Sequence, residues 1–141
     1  MQVRKGMSSV VLTVSPGRTL RDAATAMAER GVGAAVVIDP DQPGPGIITE
    51  RDILMAIGAG QSADTERVAD HLSRDLVFAA PDWSLERAAE AMVRGGFRHL
   101  VVIDGGEMVG ILSMRDIVRT WVSDGATSEL PSDLEAAAGQ G

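Results

Sequence analysis

The phrase GIITERDIL occupies residues 46–54, and a near copy of it, GILSMRDIV, occupies residues 110–118. Five of the nine paired positions are identical. Upstream, PGRTLRDAATAMAERGVGAAVVID (16–39) pairs with PDWSLERAAEAMVRGGFRHLVVID (81–104), with eleven of 24 positions identical. The chain therefore contains two copies of one sequence, copy 1 at about 3–60 and copy 2 at about 67–123. A tail, residues 124–141, is rich in Gly, Ser, Pro and acidic residues and is predicted to be flexible or weakly helical.

Both copies show the same order of secondary-structure patterns. A short apolar strand precedes a proline, and apolar residues at helical spacing follow: Leu20, Ala23, Ala24 and Met27 in copy 1, and Leu85, Ala88, Ala89 and Met92 in copy 2. The runs AAVVID and HLVVID predict buried strands, GIIT and GILS predict second strands, and second helices follow at about 50–58 and 114–122. The fold class is therefore α/β, with two β-α-β-β-α repeats expected to pack about a pseudo-twofold axis.

Turn and capping residues support these boundaries. Thr19 and Ser84 are suitable N-caps for the first helix of each copy. Gly31 and the pair Gly95-Gly96 are suitable stops for the same helices. The prolines at 43 and 45 are expected to shorten the second strand of copy 1, which predicts an asymmetry between the copies.

Composition excludes several classes of function. At 45% hydrophobic residues the chain can form a real core, and its net charge of −7 disfavours binding to nucleic acid or to an anionic membrane. The chain has no cysteine and only two histidines, so it has little material for a metal cluster or a catalytic nucleophile. His71 is expected on a solvated connection. No segment has the length of a membrane span, and we expect a soluble, cytoplasmic protein without catalytic activity.

In each repeated phrase a hydroxyl residue stands three positions before an aspartate, at the predicted strand-to-helix junction. The pairs are Thr49 with Asp52 and Ser113 with Asp116. This pattern is typical of a capping box, in which both side chains bond the N–H groups of the first helical turn. The same position suits a ligand, because a helix N-terminus attracts phosphate and a carboxylate accepts hydrogen bonds from a ribose diol. The two interpretations are compatible and both stay open.

The duplicated element order, the VVID strands and the two TERD/MRD phrases together resemble the cystathionine-β-synthase (CBS) domain, which normally occurs as a tandem pair. The resemblance covers about residues 3–123. It implies a stand-alone Bateman module that binds adenosyl ligands in clefts between the two repeats. In that family the motif aspartate holds the ribose hydroxyls and the Thr or Ser approaches the phosphate. The matching residues are Asp52 and Asp116, with Thr49 and Ser113.

The chain departs from the family pattern at Arg51 and Arg115, where many members have a second Ser or Thr before the aspartate. Each arginine could pair with a phosphate or project into solvent. Copy 2 also has Arg98-His99 where copy 1 has Gly33 and Ala34. Similar basic pairs in the family contact nucleotide phosphates, although a lone histidine is more often partly buried and satisfied. The two binding sites are therefore expected to be inequivalent.

Two further residues are candidates for an adenine pocket. Leu12 and Val77 lie on the first strand of each copy, and either could instead be a plain core residue.

The resemblance implies a regulatory, ligand-sensing role without a required cofactor. Candidate ligands are AMP, ADP, ATP, S-adenosylmethionine and NAD(H). It also implies a homodimer joined through the second helices, with Trp121 and Ile57 as candidates for that interface or for the core. Binding would then transmit a signal to an unidentified regulated protein. The alternative function is a structural or protein-interaction module with no nucleotide ligand, in which the Thr/Ser and Asp pairs only cap helices.

Overall fold

A computed structural model describes residues 1–124 of the chain. The tail predicted at 124–141 lies outside the described residues except for Asp124. The chain divides into two compact units. Of the described residues, Ser9–Val77 form the copy-1 unit, and Met1–Ser8 together with 78–124 form the copy-2 unit.

The two units contain the same succession of elements. In chain order these are α1 Val3–Gly6, β1 Thr13–Val14, α2 Leu20–Arg30, β2 Ala34–Val37, β3 Gly46–Thr49, α3 Glu50–Gly58, a 3-10 helix Val68–Asp70, β4 Phe78–Ala79, α4 Leu85–Gly95, β5 His99–Asp104, β6 Glu107–Ser113 and α5 Met114–Ser123. The predicted β-α-β-β-α order is confirmed in both copies, and so is the α/β fold class. The second helices begin at the predicted residues, 50 and 114.

Each unit has a three-stranded sheet with mixed strand directions. In the copy-1 unit the order is β1-β2-β3, with β1 parallel to β2 and β3 antiparallel to it. The copy-2 unit repeats this arrangement as β4-β5-β6. The parallel pair follows from the intervening helix, because two parallel strands need a long crossover connection. The antiparallel pair is a hairpin that leads directly into the second helix.

Local sequence fixes both ends of the first helix in each unit. Thr19 caps α2 by accepting a hydrogen bond from the N–H of Asp22, and Ser84 caps α4 in the same way. Gly31 and Gly96 end these helices in the left-handed conformation, at φ of 65° and 71°. Glycine adopts this conformation without a steric cost, which confirms the predicted stops.

Apolar faces of the helices cover one core in each unit. The copy-1 core is formed by Leu20, Ala23, Met27, Ala35, Val37, Ile48, Ile53, Ala56 and Val68. The copy-2 core is formed by Val3, Ala79, Leu85, Ala88, Met92, Leu100, Val102, Leu112 and Ile117. The helical spacing predicted from the sequence therefore identifies the buried positions of α2 and α4. Of the candidates on the second helices, Trp121 is half-buried against the copy-2 core, whereas Ile57 is exposed.

The first residues of each copy pack with the core of the other copy. Val3 is fully buried in the copy-2 core, and its N–H donates to Trp83 O at 2.8 Å. Its counterpart Val68 is fully buried in the copy-1 core, and its N–H donates to Arg18 O at 2.8 Å. The two sequence repeats and the two compact units therefore divide the chain at different residues. The repeat boundaries, 3–60 and 67–123, stay a prediction.

The hairpins of the two units differ in length. β5 and β6 are joined at Gly105 and Gly106, whose φ angles of 59° and 83° match the two-residue turn that favours a twisted hairpin. In copy 1 the chain from 38 to 45 contains three prolines, among them Pro43 and Pro45, and forms no strand, so β3 has four residues where β6 has seven. This is the asymmetry that the prolines predict.

Candidate functional site

The repeated phrase lies at the junction of β3 and α3 in the copy-1 unit. Thr49 is the N-cap of α3, and Asp52 is the third helical residue. The N–H and the hydroxyl of Thr49 both donate to Asp52 Oδ2, at 2.8 and 2.9 Å, and the N–H of Asp52 donates to Thr49 Oγ1 at 3.2 Å. This is a complete capping box, so the capping interpretation of the phrase is confirmed.

The copy-2 unit has the same box at the junction of β6 and α5. The N–H of Ser113 donates to Asp116 Oδ2 at 2.8 Å, and the N–H of Asp116 donates to Ser113 Oγ at 3.0 Å. Asp116 is the one polar or charged residue that is buried within the described chain, residues 1–124. The box holds one carboxylate oxygen of each motif aspartate in a fixed place, which leaves the other oxygen, Oδ1, for further contacts.

Oδ1 is where the two copies differ. The guanidinium of Arg119 donates to Asp116 Oδ1 and forms an ion pair with it. In copy 1 the corresponding residue is Met55, which has no donor. No residue between 1 and 124 donates a hydrogen bond to Asp52 Oδ1. The motif carboxylates are therefore chemically inequivalent, although their caps are the same.

Sequence reasoning missed Arg119. A signal for it was present, because an acid followed three residues later by an arginine forms a recognised ion pair on a helix.

The cap hydroxyls also differ. Thr49 uses its O–H to donate to Asp52, so in this conformation that proton is not available to a ligand. Ser113 accepts a hydrogen bond through Oγ, and within the described residues its O–H donates to no protein atom. At the copy-2 junction the hydroxyl of Ser113 is therefore available as a donor, while the carboxylate of Asp116 is paired. At the copy-1 junction the carboxylate of Asp52 has an open oxygen, while the hydroxyl of Thr49 is occupied.

The Arg98-His99 pair lies beside the copy-2 junction. His99 is the first residue of β5 and pairs with Ser113 in the sheet. Arg98 O accepts the N–H of Met114, the first residue of α5, at 2.8 Å, and the Arg98 side chain is exposed. Gly33 and Ala34 occupy the same places in copy 1. The structure thus brings Arg98, His99, Ser113, Arg115 and Asp116 to one end of the copy-2 unit, and Thr49, Arg51 and Asp52 to the matching end of the copy-1 unit.

Arg51 and Arg115 occupy equivalent places on their helices. Each is the second residue of its helix, after the N-cap and one further residue, and each is exposed. Their positive charge lies one residue before the motif aspartate in both copies. A phosphate role for either arginine stays a prediction.

The two candidates for an adenine pocket have different surroundings. Leu12 is half-buried and packs against the copy-1 core, which fits its interpretation as a core residue. Val77 is 41% exposed, so the core interpretation is wrong for this residue. The strand that should bury it is short: β4 contains only Phe78 and Ala79.

His71 is largely buried, whereas the sequence predicts a solvated residue. It ends the 3-10 helix, its side chain is only 15% exposed, and its Nε2 lies 2.9 Å from Glu66 Oε1. Gln61 Nε2 donates to the same oxygen at 2.9 Å. Glu66, which the sequence did not single out, therefore contacts both Gln61 and His71 in the segment that connects the two repeats.

One pair of side chains shows clear electrostatic shifts. Arg21 on α2 donates to Asp64 and lowers the pKa of that carboxyl, and the same hydrogen bond raises the pKa of Arg21. Both groups are exposed, and neither belongs to a junction.

Over residues 1–124 no group of three potential ligands could hold a metal ion. In the same part of the chain, no helix has the length and apolarity needed to cross a membrane.

The sequence profile of the CBS domain matches the chain twice, at residues 2–59 and 68–123. The chain belongs to the CBS domain family. Over 122 residues it is 32% identical to the CBS domain-containing protein YhcV of Bacillus subtilis, a match that covers 86% of each chain. It is also 30% identical over 128 residues to protein MJ1225 of Methanocaldococcus jannaschii, which covers 91% of this chain but only 45% of that protein. The CBS pair therefore spans less than half the length of one curated relative.

Solved CBS structures share this fold. The hexameric CBS-CP12 protein from bloom-forming cyanobacteria is 29% identical and has a TM-score of 0.78, over 84% of this chain and 66% of that chain. The CBS domain pair of protein MJ0100, solved in complex with 5′-methylthioadenosine and S-adenosyl-L-methionine, has a TM-score of 0.76 over 86% of this chain and 99% of that chain. At 21% identity the second likeness shows the fold alone.

Proposed function

We propose that this CBS pair is a regulatory, non-catalytic module of the cytoplasm that binds an adenosyl ligand through Asp52 and Asp116. Ligand binding stabilises one conformation of the pair and thereby changes its affinity for a regulated protein. Candidate ligands are AMP, ADP, ATP, S-adenosylmethionine and NAD(H). Ser113 and the nearby cations Arg51, Arg98, His99 and Arg115 would contact the phosphate or its equivalent, and Thr49 would do so once its hydroxyl turns away from Asp52. Leu12 and Val77 would contact the adenine.

One observation carries this proposal: the open carboxylate oxygen of Asp52. Asp52 is half-buried and its Oδ2 already accepts two hydrogen bonds from Thr49, while Oδ1 accepts none from residues 1–124. An ionised carboxylate oxygen can accept about two hydrogen bonds, and the hydroxyls of a ribose supply such donors. The cap fixes the orientation of the carboxylate before a ligand arrives, which lowers the entropic cost of binding.

The fold supports an adenosyl ligand by analogy. The MJ0100 pair, which has this fold, binds 5′-methylthioadenosine and S-adenosyl-L-methionine. Both compounds contain the ribose diol that an open carboxylate recognises. The analogy concerns the class of ligand, because fold likeness alone does not assign a function.

A thermal-shift panel with the five candidate ligands tests the proposal. A ligand at about 100 times its dissociation constant adds about 2.7 kcal/mol of stability, which raises the melting temperature by several degrees for a chain of this size. The variant D52N keeps the shape of the carboxylate but removes its charge, and D52N/D116N should abolish the shift. Arg94→Met, which alters an exposed arginine that pairs with Glu90 on α4, is the control and should retain it.

A different result would favour the alternative function. If no candidate ligand shifts the melting temperature of the unaltered chain, the motif aspartates serve only as caps. The module would then act by binding other proteins.

We also propose that the chain forms a homodimer through the exposed apolar face of α3. Leu54, Met55 and Ile57 are all more than half exposed on this helix, with Leu54 at 68%. Adjacent exposed apolar residues are typical of a protein-interaction surface. The hexameric CBS-CP12 protein is one example of a similar chain that assembles with its copies.

Sedimentation equilibrium of matched variants tests this interface. Leu54→Glu places a charge on α3 and should convert the dimer to a monomer. Val93→Glu places the same charge on α4 at a residue that is 74% exposed and should leave the assembly intact. A dimer that survives Leu54→Glu would show that another surface forms the interface.

A further inference from the structure

The contact between Arg119 and Asp116 gives the copy-2 junction a property that the copy-1 junction lacks. Arg119 donates to Asp116 Oδ1, the oxygen that is open in Asp52. The side chain of Asp116 is 13% exposed and that of Arg119 is 63% exposed. The guanidinium is therefore the solvent-exposed partner of a largely buried carboxylate.

This ion pair can be exchanged, because Arg119 is largely exposed and is well solvated when it separates from Asp116. The largely buried carboxylate of Asp116 then needs another hydrogen-bond donor in its place. A ribose hydroxyl that binds Asp116 Oδ1 must compete with the guanidinium, and the displaced Arg119 then loses its anionic partner. A phosphate on the same ligand can replace that partner, because arginine binds phosphate and carboxylate with similar geometry. A neutral nucleoside provides no replacement.

We infer that Arg119 makes the copy-2 junction selective for phosphate-bearing adenosyl ligands, whereas the copy-1 junction, with Met55 at this place, accepts uncharged ones as well. Arg119 thus acts as a specificity-determining residue that exchanges Asp116 for a ligand phosphate. This inference rests on the proposed function, since it concerns the ligand of the same aspartate. It adds the charge class of the ligand and assigns it to one copy of the repeat.

Calorimetric titration of the full chain with AMP and with adenosine tests the exchange. All of these titrations use chains with the D52N substitution, so that the measured binding is that of the copy-2 junction. AMP should bind at least about tenfold more tightly than adenosine, the scale expected for a hydrogen-bonded charge. R119M should change the two affinities in opposite directions. AMP should bind less tightly, because its phosphate loses a partner. Adenosine should bind at least about threefold more tightly, because Asp116 Oδ1 becomes open.

Two further variants separate the exchange from a general effect of charge. Arg119→Lys keeps the positive charge and should retain most of the preference for AMP. Arg94→Met removes a positive charge of the copy-2 unit from a different ion pair, the exposed pair of Arg94 and Glu90 on α4. It should leave the ratio of the two affinities unchanged. Arg119 is largely exposed, so R119M is expected to fold normally, and its melting curve verifies this.

The outcomes distinguish the inference from the proposed function. If R119M weakens AMP and adenosine equally, or changes neither, the exchange is wrong while the ligand-binding function stands. If D52N abolishes all binding that the unaltered chain shows, the copy-2 junction binds neither probe and the inference is again wrong. If the unaltered chain binds neither AMP, adenosine nor any other candidate ligand, the proposed function itself is wrong.

Discussion

The junctions around Asp52 and Asp116 have the same backbone and different chemistry. Both aspartates complete a capping box with the hydroxyl residue three positions earlier. Asp116 is buried and paired with Arg119, whereas Asp52 is half-buried and has Met55 in place of that arginine. A duplicated sequence can therefore preserve the part of a site that stabilises the helix and vary the part that meets a ligand.

This separation has a physical reason. The cap bonds involve backbone N–H groups that would otherwise lack partners, so losing them destabilises the fold. The side chains of Met55 and Arg119 are exposed, and a substitution at an exposed position changes stability by little. The two copies are therefore free to differ at positions 55 and 119, and four sets of variants can sharpen or break this comparison.

The largest effect is expected from removal of the N-terminal segment, residues 1–8, which belongs to the copy-2 unit. Removing residues 1–8 deletes Val3 from the copy-2 core and three backbone hydrogen bonds to residues 81–85. The copy-2 unit should lose about 4 kcal/mol or more of unfolding free energy, while the copy-1 unit keeps all of its residues. Both tryptophans, Trp83 and Trp121, lie in the copy-2 unit, so a red shift of their emission measures its opening.

A milder change provides the control for this truncation. Lys5 lies on the exposed side of α1, and Lys5→Ala should change stability by less than about 0.5 kcal/mol. Unaltered tryptophan emission after the truncation would contradict the assignment of residues 1–8 to the copy-2 unit.

The next effect compares the glycines that begin the two repeated phrases. A Cβ on Gly110 would lie 2.7 Å from the backbone oxygen of Ser8, which is held in a two-way pairing with Ile111. A Cβ on Gly46 would lie 2.8 Å from Leu72 Cδ1, at the mobile end of a side chain. Gly110→Ala should cost about 1–3 kcal/mol, and Gly46→Ala should cost less than about 1 kcal/mol, as measured by urea denaturation. Equal costs would mean that the backbone at Ser8 yields as easily as Leu72.

A smaller effect compares the motif aspartates themselves. Asp52→Ala removes a cap and should lower the unfolding free energy by about 1 kcal/mol. Asp116→Ala removes a cap and the partner of Arg119, so its cost should approach about 2 kcal/mol. Denaturation at low and high salt separates the two contributions, because only the ion pair is screened. If the two costs are the same at low salt, Arg119 contributes nothing to folding.

The smallest effect concerns the exposed pair of Arg21 and Asp64. The pKa of Asp64 is lowered in the folded state, so the stabilisation is present above the pKa of the unfolded carboxyl and is lost as pH falls through the folded pKa. In Arg21→Gln, the Asp64 pKa should rise toward the ordinary value of about 3.9, as followed by NMR titration. In copy 2 the residue corresponding to Arg21 is Glu86, so an arginine-dependent shift of this kind is expected only in the copy-1 unit. An unchanged Asp64 pKa in the variant would show that Arg21 does not hold that carboxylate in solution.

Much of the fold followed from local patterns. Helical spacing identified the buried faces of α2 and α4, and the residue pairs Thr49/Asp52 and Ser113/Asp116 marked the starts of α3 and α5. These features depend on interactions within three or four residues, which a sequence displays directly. Leu12 and Val77 were predicted on the first strands, but β1 begins at Thr13 and β4 at Phe78, and each strand has two residues. The length of a strand depends on pairing with a neighbouring strand, which is a tertiary property.

The sequence by itself determined the duplication, the order of elements, the caps and the composition of each motif. Only the tertiary structure decided that residues 1–8 complete the copy-2 unit, that His71 lies against Glu66, and that Arg119 bonds the one buried aspartate of the described chain. The first two are contacts between segments or side chains whose meeting no periodic pattern encodes. The contact between Arg119 and Asp116 could have been predicted from their spacing of three residues. Which carboxylate oxygen Arg119 bonds could not, because that depends on the cap, which already occupies the other oxygen.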